Sequence, residues 1–260
     1  MINVVFPMAG RGQRFAQQGF HGPKPMIEVL GKPLIEHALD GYTLEGRYIF
    51  VVLREHLALG LGSLLARLRP GATIVPIDEL TEGPVCTVLK AKSEIDTDDE
   101  LLIADCDSVL VWPDRWVLDW FKRRGATGGV TTRITTDPAC SFAALDEHGW
   151  VLETREKDPF TMFSTTGPYW WRRGRDFVEA AERMIAADRR ANGEFYVNPA
   201  YNDHIAGGGR VLAYPLAEFW SLGTPEGVTA FVRERRGAGG LSPASGDGSA
   251  SRRVASPART

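Results

Sequence analysis

Over roughly its first hundred residues the chain alternates short, β-branched apolar runs with amphipathic stretches of helical period, and that alternation leaves few folds open to it. Ile2–Pro7, Tyr48–Leu53, Thr73–Ile77 and Leu101–Ala104 read as buried strands. Pro33 opens a helix whose Leu34, Ile35, Ala38 and Leu39 share a face, and His56–Leu68 forms a second. Thr81-Glu82-Gly83-Pro84 starts a third, running to about Lys92 with Thr81 as its cap. Repeated strand–helix–strand units of this kind predict an α/β fold, Rossmann-like, with a mixed, mainly parallel central sheet and helices on both faces. Ligands of such sheets bind beyond the carboxyl ends of the strands.

From Thr127 the pattern changes. Gly128–Ile134, Ser141–Leu145, Val151–Thr154 and Thr166–Trp171 read as strands, some antiparallel, and Gly174–Ala187, Pro199–Ile205 and Pro225–Arg236 as helices. The expected organisation is one domain over residues 1–236, with a first half to about residue 125 and a second from about 126. Residues 237–260 carry almost no large apolar side chain and are expected to stay unfolded. A net charge of −3 argues against a nucleic-acid binder working through bulk positive charge. No apolar run approaches a bilayer's thickness, and Ile2–Phe6 reads as a first strand rather than a signal peptide. Three scattered cysteines suit a reducing cytoplasm better than a disulfide framework or a zinc site. Trp112, Trp116 and Trp120, four residues apart, read as packing, whereas Trp170-Trp171 could line a ligand pocket.

The chemistry concentrates in the Gly- and Pro-rich stretch after the first strand. Gly10 and Gly12 let the backbone approach a phosphate, and Arg14 adds a planar, permanently charged fork. Two rival phosphate motifs fail. A dinucleotide fingerprint needs a small residue where Phe15 stands, and a Walker loop needs Ser or Thr after Gly31-Lys32, where Pro33 stands. Lys24 lies between Pro23 and Pro25, and Pro25 is expected to hold it in extended backbone. A lysine so restricted suits neutralising a developing negative charge. Asp105-Cys106-Asp107 directly follows a strand, where paired hard carboxylates suit Mg²⁺ shared with substrate phosphates.

Gly10-x-Gly12-x-Arg14-Phe15 followed by Pro23-Lys24-Pro25, after an apolar strand, resembles the sugar-1-phosphate nucleotidylyltransferases, and most closely their short capsule-biosynthesis-type members. The resemblance spans about residues 2–235. It implies the nucleotidyltransferase variant of the fold, a nucleoside triphosphate and a phosphorylated small-molecule acceptor as substrates, Mg²⁺ as cofactor, and a cytoplasmic enzyme of surface polysaccharide or related biosynthesis that could be oligomeric. It implies that Ala9, Gly10, Arg11, Gly12 and Gly83 bind the nucleotide, with Gly83 against the base. Arg14 and Lys24 would be catalytic, Asp107 the principal metal ligand and Asp105 its support. Lys157 would hold the acceptor's phosphate and Glu156 a hydroxyl, with Gly167 and Glu194 in later acceptor-side segments. One departure stands out. The family's Trp-x-Asp-x-Gly-Thr carries a second metal-binding aspartate, and the corresponding stretch here, Phe219-Trp220-Ser221-Leu222-Gly223-Thr224, has Ser221 or Leu222 instead. Water, Glu194 or Glu218 could complete the shell. Two other readings stay open: a glycosyltransferase using Asp105-Cys106-Asp107 as an Asp-x-Asp motif, and a nucleotide-binding regulatory protein without activity.

Overall fold

A computed structural model describes residues 1–238, so the segment expected to be unfolded lies, past Ala238, outside the described residues. β1 (Ile2–Met8) leads into the glycine loop, which holds one helical turn, α1 (Gln13–Ala16), and a 3-10 turn at Lys24–Met26. Lys24 therefore opens a tight turn rather than sitting in extended backbone. Its Pro23 neighbour takes the extended conformation instead, and the carbonyls of Pro23 and Lys24 accept from Met26 and Ile27. A small ribbon, β2 (Glu28–Val29) with β3 (Lys32–Pro33), feeds α2 (Leu34–Leu39). β4 (Arg47–Leu53), α3 (Arg54–Ala58), α4 (Leu61–Leu68) and β5 (Thr73–Ile77) follow. The helix expected over 56–68 is split in two, because Gly60 turns left-handed at φ +94°. Next come α5 (Pro84–Leu89), α6 (Lys92–Ile95), β6 (Glu100–Ile103), β7 (Ser108–Val111) and α7 (Asp114–Arg123). Gly83, not Thr81, caps α5, and the Thr81 hydroxyl donates to the Gly83 carbonyl at 2.9 Å.

The second half runs β8 (Gly128–Ile134), β9 (Ser141–Leu145), β10 (Val151–Glu156), β11 (Phe163–Trp171), α8 (Gly174–Ala186) and α9 (Ala200–Ala206). It closes with β12 (Val211–Pro215), β13 (Glu218–Ser221) and α10 (Pro225–Ala238). β5, β4, β1 and β6 are parallel neighbours, β11 runs antiparallel to β6 and β8, and β12 is parallel to β8. The sheet is mixed and mainly parallel in its first half, as the alternation predicts. Along β1, Val4, Phe6 and Met8 face one layer while Val5 faces the other, so helices pack on both sides. Each such side chain contributes roughly 1.5–3 kcal/mol on burial. α2, α4 and α7 cover one face; α5, α8 and α9 cover the opposite one. Trp170 and Trp171 are both fully buried, one in each layer, so they line no pocket. The tryptophan stripe packs only in part: Trp116 is half exposed, stacked on Trp120.

Two local features shape the cleft end of the sheet. β11 changes partners along its length. Ser164 and Thr165 pair with the β9–β10 hairpin, whereas Tyr169–Trp171 pair with β6, and the register against β8 shifts between them. A small apolar cluster of Val29, Leu34, Val109, Leu222 and Phe231 also ties β2, α2, β7 and α10 together beyond the sheet's edge. Within it, β13 pairs antiparallel with β7, placing Ser221 opposite Ser108.

Candidate active site

The turn after β6 and the loop after β1 open at the same end of the sheet, because β1 and β6 are parallel neighbours in register. Together they wall a cleft of about 530 Å³. Ala9, Gly10, Arg11, Gly12, Arg14 and Lys24 line one side, Gly83 and Thr87 another, and Asp105, Asp107, Glu194 and Gly223 the rest. Ten of the thirteen site residues expected from sequence thus meet in one cleft. Gly12 packs directly on the lysine: a Cβ there would lie 2.9 Å from that of Lys24. Arg11 leans outward to an exposed ion pair with Glu55 at 3.5 Å. His21 is exposed and takes no part in the cleft wall.

The electrostatics centre on Lys24, whose ammonium is paired with the Asp107 carboxylate. Burial works to lower the lysine's pKa, but the charge and hydrogen bond of Asp107 outweigh it and hold the group above its ordinary range. Asp105 is half-buried in the cleft wall. Burial, then the neighbouring Asp107 charge, pushes its carboxyl up to about 8, with Lys24 opposing. Cys106 between them is pushed up to about 12, chiefly by burial, and stays a thiol. Lys24 and Asp107 balance each other and Asp105 is inclined to keep its proton, so a cation held by the two carboxyl groups would displace that proton and compete with the lysine.

Gly167 lies in the stretch where β11 changes partners, at φ +98°, and a Cβ there would fall 2.0 Å from Asp105 Oδ2. It is therefore a neighbour of the acidic pair, outside the cleft wall itself. Gly83 is also confined: at φ +133°, its Cβ would lie 2.6 Å from both the N and O of Phe195. The Phe195 amide donates to Glu82 O at 2.9 Å, and its carbonyl accepts from Val85 N at 3.0 Å. The sequence motif at Gly83 is thus explained by a backbone clamp from a segment more than a hundred residues away. Glu156 and Lys157 sit at the end of β10. The Ser141 hydroxyl donates to Glu156, and burial raises that carboxyl's pKa. Lys157 takes φ +55° and donates to the Tyr196 hydroxyl at 2.6 Å.

The departure near Trp220 resolves into two roles. Leu222 is fully buried in the small apolar cluster, and its amide donates to Asp107 O at 2.7 Å. Ser221 is exposed at the end of β13. Its Oγ would be 3.5 Å and Asp107 Oδ2 3.0 Å from a Cβ on Gly223, so Ser221 stands across Gly223 from Asp107. Glu218 is committed elsewhere, accepting from Trp220 Nε1 at 3.0 Å and pairing with Arg235. Among the described residues no three His, Cys, Asp or Glu side chains gather into a metal cage. The sequence reading takes Gly193–Asn198 as one acceptor-side segment and gives Phe195 and Tyr196 no role of their own, because their partners at Glu82–Val85 and Lys157 lie far along the chain.

With this geometry in view, a family model for the MobA-like NTP transferase domain matches residues 4–143. The chain belongs to that family. Solved structures extend the likeness past the matched half. A nucleoside-diphosphate-sugar pyrophosphorylase from Vibrio cholerae RC9 is 25% identical, with 88% of this chain and 99% of that one covered at a TM-score of 0.77. A UDP-glucose pyrophosphorylase complexed with UDP-glucose superposes with a TM-score of 0.72 at 17% identity, covering 92% and all of its own chain. A UDP-glucose pyrophosphorylase from Acinetobacter baumannii covers 90% and 93% at 16% identity and a TM-score of 0.68. This NTP transferase thus shares a sugar-nucleotidyltransferase fold that extends to the strands beyond residue 143.

Proposed function

We propose that this NTP transferase joins a nucleoside triphosphate to a phosphorylated small-molecule acceptor and releases pyrophosphate. The observation that carries the reading is the convergence of the Gly10–Arg14 loop, Lys24 and the Asp105–Asp107 turn on one cleft. An oxygen of the acceptor's phosphate attacks the α-phosphorus, the bond to the bridging oxygen breaks, and pyrophosphate leaves. The acceptor is already an anionic nucleophile, so the protein's task is to bring two anions together and neutralise charge. Arg14 takes the leaving pyrophosphate and Lys24 the α-phosphate. Lys157 and Glu156, at the end of β10, receive the acceptor, with Gly167 and Glu194 shaping that side.

Asp105 and Asp107 fit a hard divalent cation: two carboxylate donors at one wall, the number Mg²⁺ commonly takes from protein when it also binds substrate phosphates. Bound there, Mg²⁺ would neutralise phosphate charge across the reacting groups. Lys24 is paired with Asp107. With Asp107 engaged by a cation, Lys24 would be held less strongly and its ammonium would be available to phosphate. The product, a nucleotide-activated sugar or similar phosphate or phosphonate ester, suits a cytoplasmic supply step for surface polysaccharide. No described helix is long and apolar enough to cross a membrane.

The test measures pyrophosphate release from each of four nucleoside triphosphates against a panel of sugar 1-phosphates, alditol phosphates and phosphonates. Lys24→Ala should lower the rate about 100–1000-fold at saturation; a near wild-type rate would sink the assignment. Sugar transfer from a ready-made nucleotide-sugar, without use of free triphosphate, would favour the Asp-x-Asp glycosyltransferase. Thermal stabilisation by triphosphates with no turnover on any acceptor would favour a binding protein, the reading that Ser221 invites.

A further inference from the structure

Tyr196 stands between two charges on the acceptor side of the cleft. Its hydroxyl accepts from the Lys157 ammonium at 2.6 Å and donates to the Glu194 carboxylate. The ammonium lies 4.6 Å from the Tyr196 ring centroid, at the hydroxyl end of the ring. The direction of this chain is fixed, since an ammonium has no lone pair to accept with and a carboxylate no proton to give. The phenol keeps its proton. Burial, Glu194 and Glu156 all push its pKa up, and the more distant Arg14 only partly offsets them.

The lysine is pinned at both ends. Its backbone holds φ +55°, which side chains seldom adopt, and its amide donates to Cys140 O at 2.9 Å. Between those ends lies a flexible four-carbon stem that would otherwise sample many rotamers. Tyr196 is itself held firmly. The preceding Phe195 is hydrogen-bonded through both its N and O to the turn at Glu82–Val85, and Asn198 donates to the carbonyls of Phe142 and Arg155 at 3.1 Å each. The hydroxyl thus sits on a fixed backbone that bridges the wall of the cleft and the end of β10.

We propose that Tyr196 is a positioning residue: its hydroxyl holds the Lys157 ammonium where it receives the acceptor's anionic group. This rests on the reading of Lys157 as the acceptor anchor. Glu194 completes the device by accepting the phenol's proton in a hydrogen bond, which leaves the phenolic oxygen's lone pairs turned toward the lysine. A bare Lys157 would bind the same anion, but only after losing its rotational freedom at each binding event.

Tyr196→Phe removes the hydroxyl and keeps the ring. Two readouts separate the outcomes. Site-resolved acetylation by mass spectrometry should show Lys157 reacting on the order of tenfold faster in Tyr196→Phe, with Lys24, Lys90 and Lys92 unchanged. Inorganic phosphate, titrated as the minimal acceptor probe with a non-hydrolysable triphosphate filling the other site, should bind about tenfold more weakly. In a Lys157→Ala background, Tyr196→Phe should leave phosphate affinity unaltered, because the hydroxyl then has no lysine to hold. An equal loss in both backgrounds, unchanged Lys157 reactivity, or a general rise in lysine reactivity would overturn the proposal. If Lys157→Ala alone leaves phosphate affinity intact, the acceptor reading of Lys157 fails, and the proposal fails with it. If Lys157→Ala weakens binding and Tyr196→Phe does not, only the role of Tyr196 falls.

Discussion

Replacing Gly167 by alanine tests whether the acidic pair depends on the bulge in β11. The residue holds φ +98°, a conformation that costs a side-chain-bearing residue about 1–3 kcal/mol. Its new Cβ would lie 2.0 Å from Asp105 Oδ2, where Cβ contacts stop short of 3.0 Å. The carboxylate must therefore move by about 1 Å, and a misplacement of that size costs on the order of 100-fold in rate, or about 2.7 kcal/mol in the barrier. Gly208→Ala is the control. It too has a positive φ, of +90°, but nothing lies within 4 Å of its Cβ. Both variants should melt lower, by roughly 2–4 °C per kcal/mol of strain. Only Gly167→Ala should lose turnover in a pyrophosphate-release assay at saturating substrates. Equal melting losses with wild-type turnover in both would refute the argument that the bulge glycine makes room for Asp105.

Gly83→Ala should raise KM for the triphosphate on the order of 30-fold, because its Cβ would strike the Phe195 backbone and break two hydrogen bonds worth about 1 kcal/mol each; an unchanged KM and melting point would remove the clamp from the account. Ser221→Asp sets a carboxylate across Gly223 from Asp107, so Mg²⁺ alone should stabilise that variant against heat at lower concentration than wild type, and an identical titration would count against a cation at Asp107. His56 and His204 are buried, and burial lowers both pKa values below the ordinary 6.5. The unfolded chain then takes up more protons than the folded one as pH drops through about 6.5, so stability should be lost on acidification there and be insensitive to these groups above it. Denaturant unfolding at stepped pH should show this slope, and a slope unaltered in a His56→Gln, His204→Asn double variant would contradict the assignment.

How much of the fold and the site is legible in the sequence depends on the range of each interaction. The strands of the first half declare themselves through runs such as Ile2–Phe6 and Leu101–Ala104, whose burial on both faces needs no long-range information. The glycine loop and Lys24 are readable because spacing within a short segment already brings them together. β7 escapes notice because its four residues pair only with β13, more than a hundred positions on. The extended backbone expected for Lys24 gives way to a 3-10 turn, since the tertiary packing of Met26 and the ribbon after it outweighs the preference imposed by the following proline. Gly83 and Gly167 are singled out by resemblance, yet the reason each must be glycine lies in Phe195 and Asp105, atoms that no local pattern could supply.

The divided pairing of β11 has a consequence for how such a chain can diversify. One end of the strand belongs to the nucleotide-side sheet through β6, and the other carries the β9–β10 hairpin on two residue pairs, Ser164 with Phe142 and Thr165 with Ser141. The hairpin bears Glu156 and delivers Lys157, while the glycine loop and acidic turn follow strands that it does not pair with. On the roles proposed for Glu156 and Lys157, insertions or exchanges in that hairpin would change which acceptor is admitted and leave the register of β1, β4, β5 and β6 intact. The strand works as a coupling between a fixed engine and an exchangeable attachment, with Gly167 at the joint.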